Sequence, residues 1–343
     1  MSRFDAIRKR NLAASCPPSP VQDRFLNPDQ ACWADRHEAY RHPPGDMLAD
    51  GFAPAGMTNT DFTVIRHEGE FHLFGVGGFP GCFTNWPGQY EHIFHATTGD
   101  LVDWTVHGKA VWPHPDNAYE CNKVWPPYVL RHGGGFAMVY CGLDFDNCQC
   151  LCLVFSDDLF RWRRYEANPI VDAGRLNWTL KRPDGKVRHC RDPHVEKVGD
   201  VCYLYYATVA ADGNPAVGLA ASEDLRRWDD LGPCLKRTGG WVPESPLVLA
   251  RGGKYYLMPL PNDRLYESDD PTDFHGARQV PVSSDVKVVA PEIFDRRGDD
   301  EFLIGFYGHK GPRISMGVMT WRADRVEIRH VSRPGELAAW GLG

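Results

Sequence analysis

The sequence predicts an all-β fold: a five-bladed β-propeller with four-stranded antiparallel blades around a central channel. Three observations carry this reading. A turn signature recurs four times, a hairpin pattern recurs five times, and the composition suits short strands better than long helices. Aromatic residues make up 12% of the 343, and Gly and Pro together number 61, a mixture that favours extended segments joined by tight turns.

The hairpins come first in each unit. They are "DFTVIRHEGEFHLFGVG" from Asp61, "PYVLRHGGGFAMVYCG" from Pro127, "DPHVEKVGDVCYLYYA" from Asp192, "ESPLVLARGGKYYLMPL" from Glu244 and "PEIFDRRGDDEFLIGFYG" from Pro291. In each, an aliphatic strand turns back into an aromatic-rich one. The turns follow: "TTGDLVDW" (97–104), "SDDLFRW" (156–162), "SEDLRRW" (222–228) and "SDDPTDF" (268–274), with a degraded fifth copy in "TWRADRVEIRHV" (320–331). Each places a polar residue, an acidic residue two positions on and an aromatic residue six positions on. Trp104, Trp162 and Trp228 therefore read as packing residues between sheets. The unit of four strands recurs about every 50 to 65 residues across 61–331, and sheets set around an axis account for that regularity.

Residues 1–60 lie outside the repeats and are expected to wrap the ring or line its mouth, while 332–343 form a short tail. The N-terminal stretch has basic residues but no continuous apolar run, which predicts a cytoplasmic chain without a membrane span. The formal net charge of −7, with basic residues scattered, argues against nucleic-acid or anionic-membrane partners. Eleven cysteines, an odd number in a chain of this size, read better as reduced thiols than as disulfides. Alternation along "CQCLCLVF" puts Cys148, Cys150 and Cys152 on one face of a strand. That placement suits small buried hydrophobes better than a tetrahedral metal cluster.

In a ring of sheets the first strand of each blade lies nearest the axis, so its opening residues converge. They are Asp61, the Pro126–Pro127 pair, Asp192, Glu244 and Glu292. Several carboxylates gathered at one end of a channel raise one another's proton affinity unless hydrogen bonds or cations stabilise them. That cost favours a working site over scattered turn caps.

These residues resemble the five-bladed β-propeller glycoside hydrolases, especially the family 43 arabinofuranosidases and xylosidases and, more distantly, the family 32 fructosidases. The resemblance spans Asp61 to Val331. It implies Asp61 in "TNTDFTVI" as general base, Asp192 in "RDPHV" as the residue that tunes the acid and orients substrate, and Glu244 in "VPESPLV" as general acid. It further implies His309 in "YGHKG" as a residue near a water or cation on the axis, with a structural Ca2+ there; no other cofactor is expected. The sequence departs from these families at several points. Asp61 precedes Phe62 instead of proline, the family 32 start motif of the Trp-Met-Asn-Asp-Pro-Asn-Gly kind is absent ("NPDQ" at 27–30 is a poor substitute), and Ser245 stands where family 32 has cysteine after its acid.

Acid–base cleavage of a glycosidic bond needs two carboxyl groups with separated protonation states. The expected division has Asp192 raising the proton affinity of Glu244 while Arg191 keeps Asp192 ionised. Inversion is expected from the family 43 likeness. Trp125, Trp241 and Trp86 are candidates for stacking on sugar faces, Arg191 and Glu292 for orienting the substrate. The substrate expected is a short arabinofuranoside or xyloside. Two other readings stand beside it: phosphorolysis, with Arg188, His189 and Arg191 as a phosphate nest, and a propeller that binds carbohydrate without cleaving it.

Overall fold

The computed structural model describes residues 4–13, 47–79 and 90–342. Its strands come in five consecutive antiparallel meanders. The first holds β1 (Thr58–His67), β2 (Glu70–Gly78), β3 (His92–Thr98) and β4 (Thr105–Val111); the second β5 (Lys123–His132), β6 (Gly135–Leu143), β7 (Gln149–Ser156) and β8 (Arg163–Arg164). The third holds β9 (Cys190–Val198), β10 (Val201–Val209), β11 (Pro215–Ser222) and β12 (Asp229–Lys236). The fourth runs through β13 (Leu247–Arg251), β14 (Lys254–Met258), β15 (Arg264–Ser268) and β16 (Arg278–Ser284). The fifth runs through β17 (Val289–Arg297), β18 (Glu301–Gly308), β19 (Gly311–Trp321) and β20 (Val326–Val331).

The first three meanders are separate four-stranded sheets. The last two differ from the expectation of independent blades, because β16 pairs in parallel with β20 and the two merge into one eight-stranded sheet. Both are outer strands with an unpaired edge, and joining them satisfies backbone groups that would otherwise face solvent. Hydrophobic clusters fill each space between consecutive meanders, and one of them sets Phe62, Phe71 and Phe94 of the first against Phe294, Ile314 and Met316 of the fifth. The first strands touch in a circuit, β1 to β5 to β9 to β13 to β17 and back to β1. This is a propeller-like arrangement.

The polar–x–acidic turn has a local cause. Asp158 accepts from the backbone N–H groups of Phe160 and Arg161 through one oxygen at 2.8 Å, and Ser156 caps Leu159 at 2.9 Å. Asp100 and Asp224 repeat the pattern on residues 102–103 and 226–227. The leucines in between, Leu101, Leu159 and Leu225, adopt φ of 65°, 66° and 61° and bury their side chains completely or nearly so. Trp162 and Trp228 then donate their indole N–H back to the Leu159 and Leu225 carbonyls at 3.1 and 2.7 Å. In the fourth copy Pro271 replaces leucine, and its ring forbids the left-handed conformation. There Ser268 holds the turn by donating to the carbonyls of Asp270 and Asp273.

Helix α1 (Asp5–Ala13) packs on β12, with Phe4 buried and Arg8 paired to Asp230 at 3.2 Å. Helix α2 (Met47–Asp50) and Phe52 pack beside β19, where Phe52 bridges to Ile314 and stacks on Trp104 at 4.3 Å. Leu337 and Leu342 of the tail are buried in the same cluster. No helix among the described residues is long and apolar enough to cross a membrane. Cys150 and Cys152 are buried in one cluster with sulfurs 3.9 Å apart, and the described cysteines are free thiols.

Candidate active site

Four of the five first strands begin with an irregularity in their pairing. The β1–β2 register shifts between Asn59 and Phe62, β5–β6 between Trp125 and Pro127, β9–β10 beside Asp192, and β17–β18 between Val289 and Glu292. Asp192, Ser245 and Ala290 all take left-handed φ, at 55°, 47° and 46°, and each precedes a proline. Such a conformation in a non-glycine residue costs about 1 kcal/mol or more and persists where the surroundings over-determine it. The bulges re-aim side chains from the strand face into the axis.

This geometry corrects one sequence expectation. Asp192, Glu244 and Glu292 are not equivalent positions. Asp192 matches Ser245 and Ala290, so Glu244 stands one residue before the kink and Glu292 two after it. Even so, Asp61, Asp192 and Glu244 come together around one cavity of ≈ 170 Å3, with Trp125, Arg191 and Tyr307 also in its wall. That volume equals roughly six water molecules, enough for one sugar ring and little more.

Ser245, next to Glu244 in the chain, ties the other two acids together. Its hydroxyl donates to Asp61 Oδ1 at 3.0 Å, and its backbone N–H donates to Asp192 Oδ2 at 3.0 Å. Burial, with Glu244 close by, pushes the Asp61 carboxyl up to about 6 from 3.8. Burial and the Asp61 charge push Asp192 well above the usual carboxylate range. Tyr307 is raised well above 10 by burial and by the same three acids, which leaves a neutral phenol as a donor in the cavity wall.

Arg191 does not play the part expected of it. Its Nε and Nη2 both donate to Glu244 Oε1, the former at 2.9 Å, whereas Asp192 lies 3.9 Å away. The chain direction explains this: Asp192 is turned by its kink toward the Ser245 amide, so the guanidinium reaches across to the next meander. Arg191 is itself fixed by Gln149 Oε1 at 3.1 Å and by His189 Nδ1 at 2.7 Å. Trp241 donates its indole N–H to Glu244 Oε2 at 2.9 Å and does not line the cavity, so it holds Glu244 and offers no stacking face there. Trp125 does line the cavity, with its indole N–H bound to the Tyr90 carbonyl at 3.0 Å.

The remaining candidates fall elsewhere. Glu292 is outside the cavity wall, although burial and the neighbouring Asp61 raise its carboxyl well above the usual range. His309 sits at the β18–β19 turn against His330, ring centroids 4.5 Å apart, and not at the cavity. Among the described residues no group of three or more His, Cys, Asp or Glu side chains is placed to hold a metal ion. Trp86 lies outside the described residues. Sequence reasoning missed Ser245, Tyr90, Tyr307 and Gln149 as parts of the site; the Ser-Pro repeat of the Asp-Pro pattern was the available signal for Ser245.

The family description "Glycosyl hydrolases family 32 N-terminal domain" matches residues 53–249, more than half of the chain and all three acids. The chain belongs to glycosyl hydrolase family 32. This corrects the expectation that family 43 is the nearer group. The family 32 chain is 23% identical over 245 residues to a sucrose-6-phosphate hydrolase of Salmonella typhimurium, covering 65% of this chain and 48% of that protein. It is 23% identical over 273 residues to the beta-fructofuranosidase insoluble isoenzyme 3 of Oryza sativa subsp. indica, covering 76% and 42%. It thus spans at most about half the length of these relatives. Among solved structures, the sucrose-6-phosphate hydrolase from Lactobacillus gasseri superposes with a TM-score of 0.64 at 15% identity, covering 91% of this chain and 68% of that one. A thermostable family-43 glycoside hydrolase gives 0.60 at 16% identity, covering 82% and 95%. At such identities these likenesses speak for the fold.

Proposed function

We propose that this family 32 chain hydrolyses the fructofuranosyl bond of sucrose or a short fructan, with the five meanders acting as the five blades of a propeller. The observation that carries the proposal is the convergence of Asp61, Asp192 and Glu244, from three different meanders, on one cavity of sugar-ring size. The names of the relatives support the sugar, and replace the arabinofuranoside or xyloside expected earlier.

Asp61, ionised above about pH 6, is the carboxylate that supplies attack at the anomeric carbon, directly or through water. Asp192 orients sugar hydroxyls. Glu244 gives the proton to the leaving oxygen. Both oxygens of Glu244 accept hydrogen bonds as the side chains stand, so Arg191 or Trp241 must turn toward the bound sugar before that transfer. Arg191 is the one basic side chain in the described cavity wall and already pairs with Glu244, which disfavours a phosphorylated sugar. The same commitment of Arg191 to Glu244 disfavours phosphorolysis, and His189 is buried against Arg191.

Release of glucose and fructose from sucrose by the purified chain tests this. The panel includes sucrose 6-phosphate and nitrophenyl arabinofuranoside and xyloside, each with and without phosphate. Sucrose is expected to lead, and turnover of the arabinofuranoside alone overturns the proposal. The inversion expected earlier rested on likeness to family 43, and NMR of the first-formed anomer now assigns it: inversion requires the two carboxyls roughly 6.5–9.5 Å apart, retention about 5–5.5 Å.

A further inference from the structure

A second cavity, ≈ 190 Å3 and so no smaller than the first, lies at one end of the second meander, walled by residues 118–119, the β6–β7 turn and the 169–187 segment that leads to β9, and no residue is common to the two walls. Gln149 is the link. Its side chain lines the second cavity, is only 5% exposed, and accepts through Oε1 from the Cys190 N–H at 3.0 Å and from Arg191 Nη1 at 3.1 Å. Its amide NH2 makes no hydrogen bond among the described residues. That nitrogen is not closed off from the cavity and stays available to a partner there.

Around that donor stand Asp172, Asp144 and Lys186, with Tyr119 and Pro169 as apolar wall. Asp144 is paired to Lys186, while Asp172 accepts from the Gly174 N–H at 3.0 Å and from Arg175 at 3.1 Å. Asp144 Oδ1 already accepts from the Asp146 and Cys148 N–H groups, while Asp144 Oδ2 and both Asp172 oxygens retain a further lone pair. The ligand must therefore accept from an amide and donate to carboxylates within one small space. A hydroxyl does both. An anion meets a formal charge of −1, and a cation meets Lys186 and the amide donor.

We infer that this cavity binds a neutral polyhydroxylated molecule of monosaccharide size. Because the ligand sits on the amide that steers Arg191, its binding is coupled to the grip on Glu244. The coupling rests on the proposed hydrolase reading; the binding does not.

Hydrogen exchange on the full chain separates the two cavities, with D-fructose, D-glucose and sucrose as probes. Protection is expected in 144–150 and 169–187 as well as in 60–62 and 242–247. For amides that exchange only through the ligand-free opening, it slows about tenfold when the probe is ten times its Kd. Ala118→Trp, at the exposed rim of the second cavity, and Asp172→Ala each remove the first set of protections only. With Ala118→Trp, glucose no longer changes kcat/KM for sucrose. Protection confined to 60–62 and 242–247 with every probe, or protection of 144–150 that survives both variants, overturns the inference. Second-cavity protection in a chain that cleaves no sugar sinks the hydrolase reading and leaves the binding site standing.

Discussion

At the residue scale the site is governed by Ser245. Its hydroxyl bond holds the Asp61 carboxyl below the value that burial and Glu244 alone would impose. The acid limb of the kcat/KM profile for sucrose is expected near pH 6, and Ser245→Ala is expected to move it upward and to lower the plateau; an unmoved limb separates Asp61 from the observed titration. Stability carries the same signature with a definite sign. The folded chain holds the Asp61 proton between about pH 3.8 and 6 where the unfolded chain releases it, so stability falls as pH rises through that window. Asp61→Asn is therefore expected to stabilise the protein at pH 7 by about 1–3 kcal/mol and to give no gain near pH 4, measured by urea unfolding. Asp61, Asp192 and Glu244 were legible in the sequence as a converging set because they recur at strand openings. Their partnerships were not, since a kink of one residue decides that Arg191 meets Glu244 and that Asp192 meets an amide.

At the element scale the repeated turn sets two costs against each other. Leu159 holds a left-handed backbone at φ 66° and a fully buried side chain. Glycine would relieve about 1–2 kcal/mol of backbone strain but forfeit about 2–5 kcal/mol of burial. Leu159→Gly is therefore expected to destabilise by about 1–3 kcal/mol in urea titration, and a gain in stability contradicts this account. The signature Ser-x-Asp was readable because its hydrogen bonds are local to seven residues. The fifth turn lost it: there Arg322 and Arg325 pair with Glu327 at the end of the sheet instead.

At the scale of the whole molecule, the parallel seam of Val282–Ser284 against Val326–Ile328 makes the last two meanders one sheet. Native-state hydrogen exchange is expected to show their amides opening together, apart from the first three sheets. Ser283→Pro, which removes a donor from the seam and fixes φ, is expected to split that unit and to lower its opening free energy alone. Nothing in the periodicity of the chain announced this seam, because both strands read as ordinary outer strands and the pairing joins segments about forty residues apart.

By itself the sequence determined the succession of short strands, the capped turns between them and the acids at strand openings, because alternation, proline and side-chain caps act over a few residues. Only the tertiary structure decided which acid meets which partner, where the sheets fuse and that a second cavity backs onto Arg191 through Gln149. Those outcomes depend on contacts between residues far apart along the chain, whose geometry is fixed only when the ring closes.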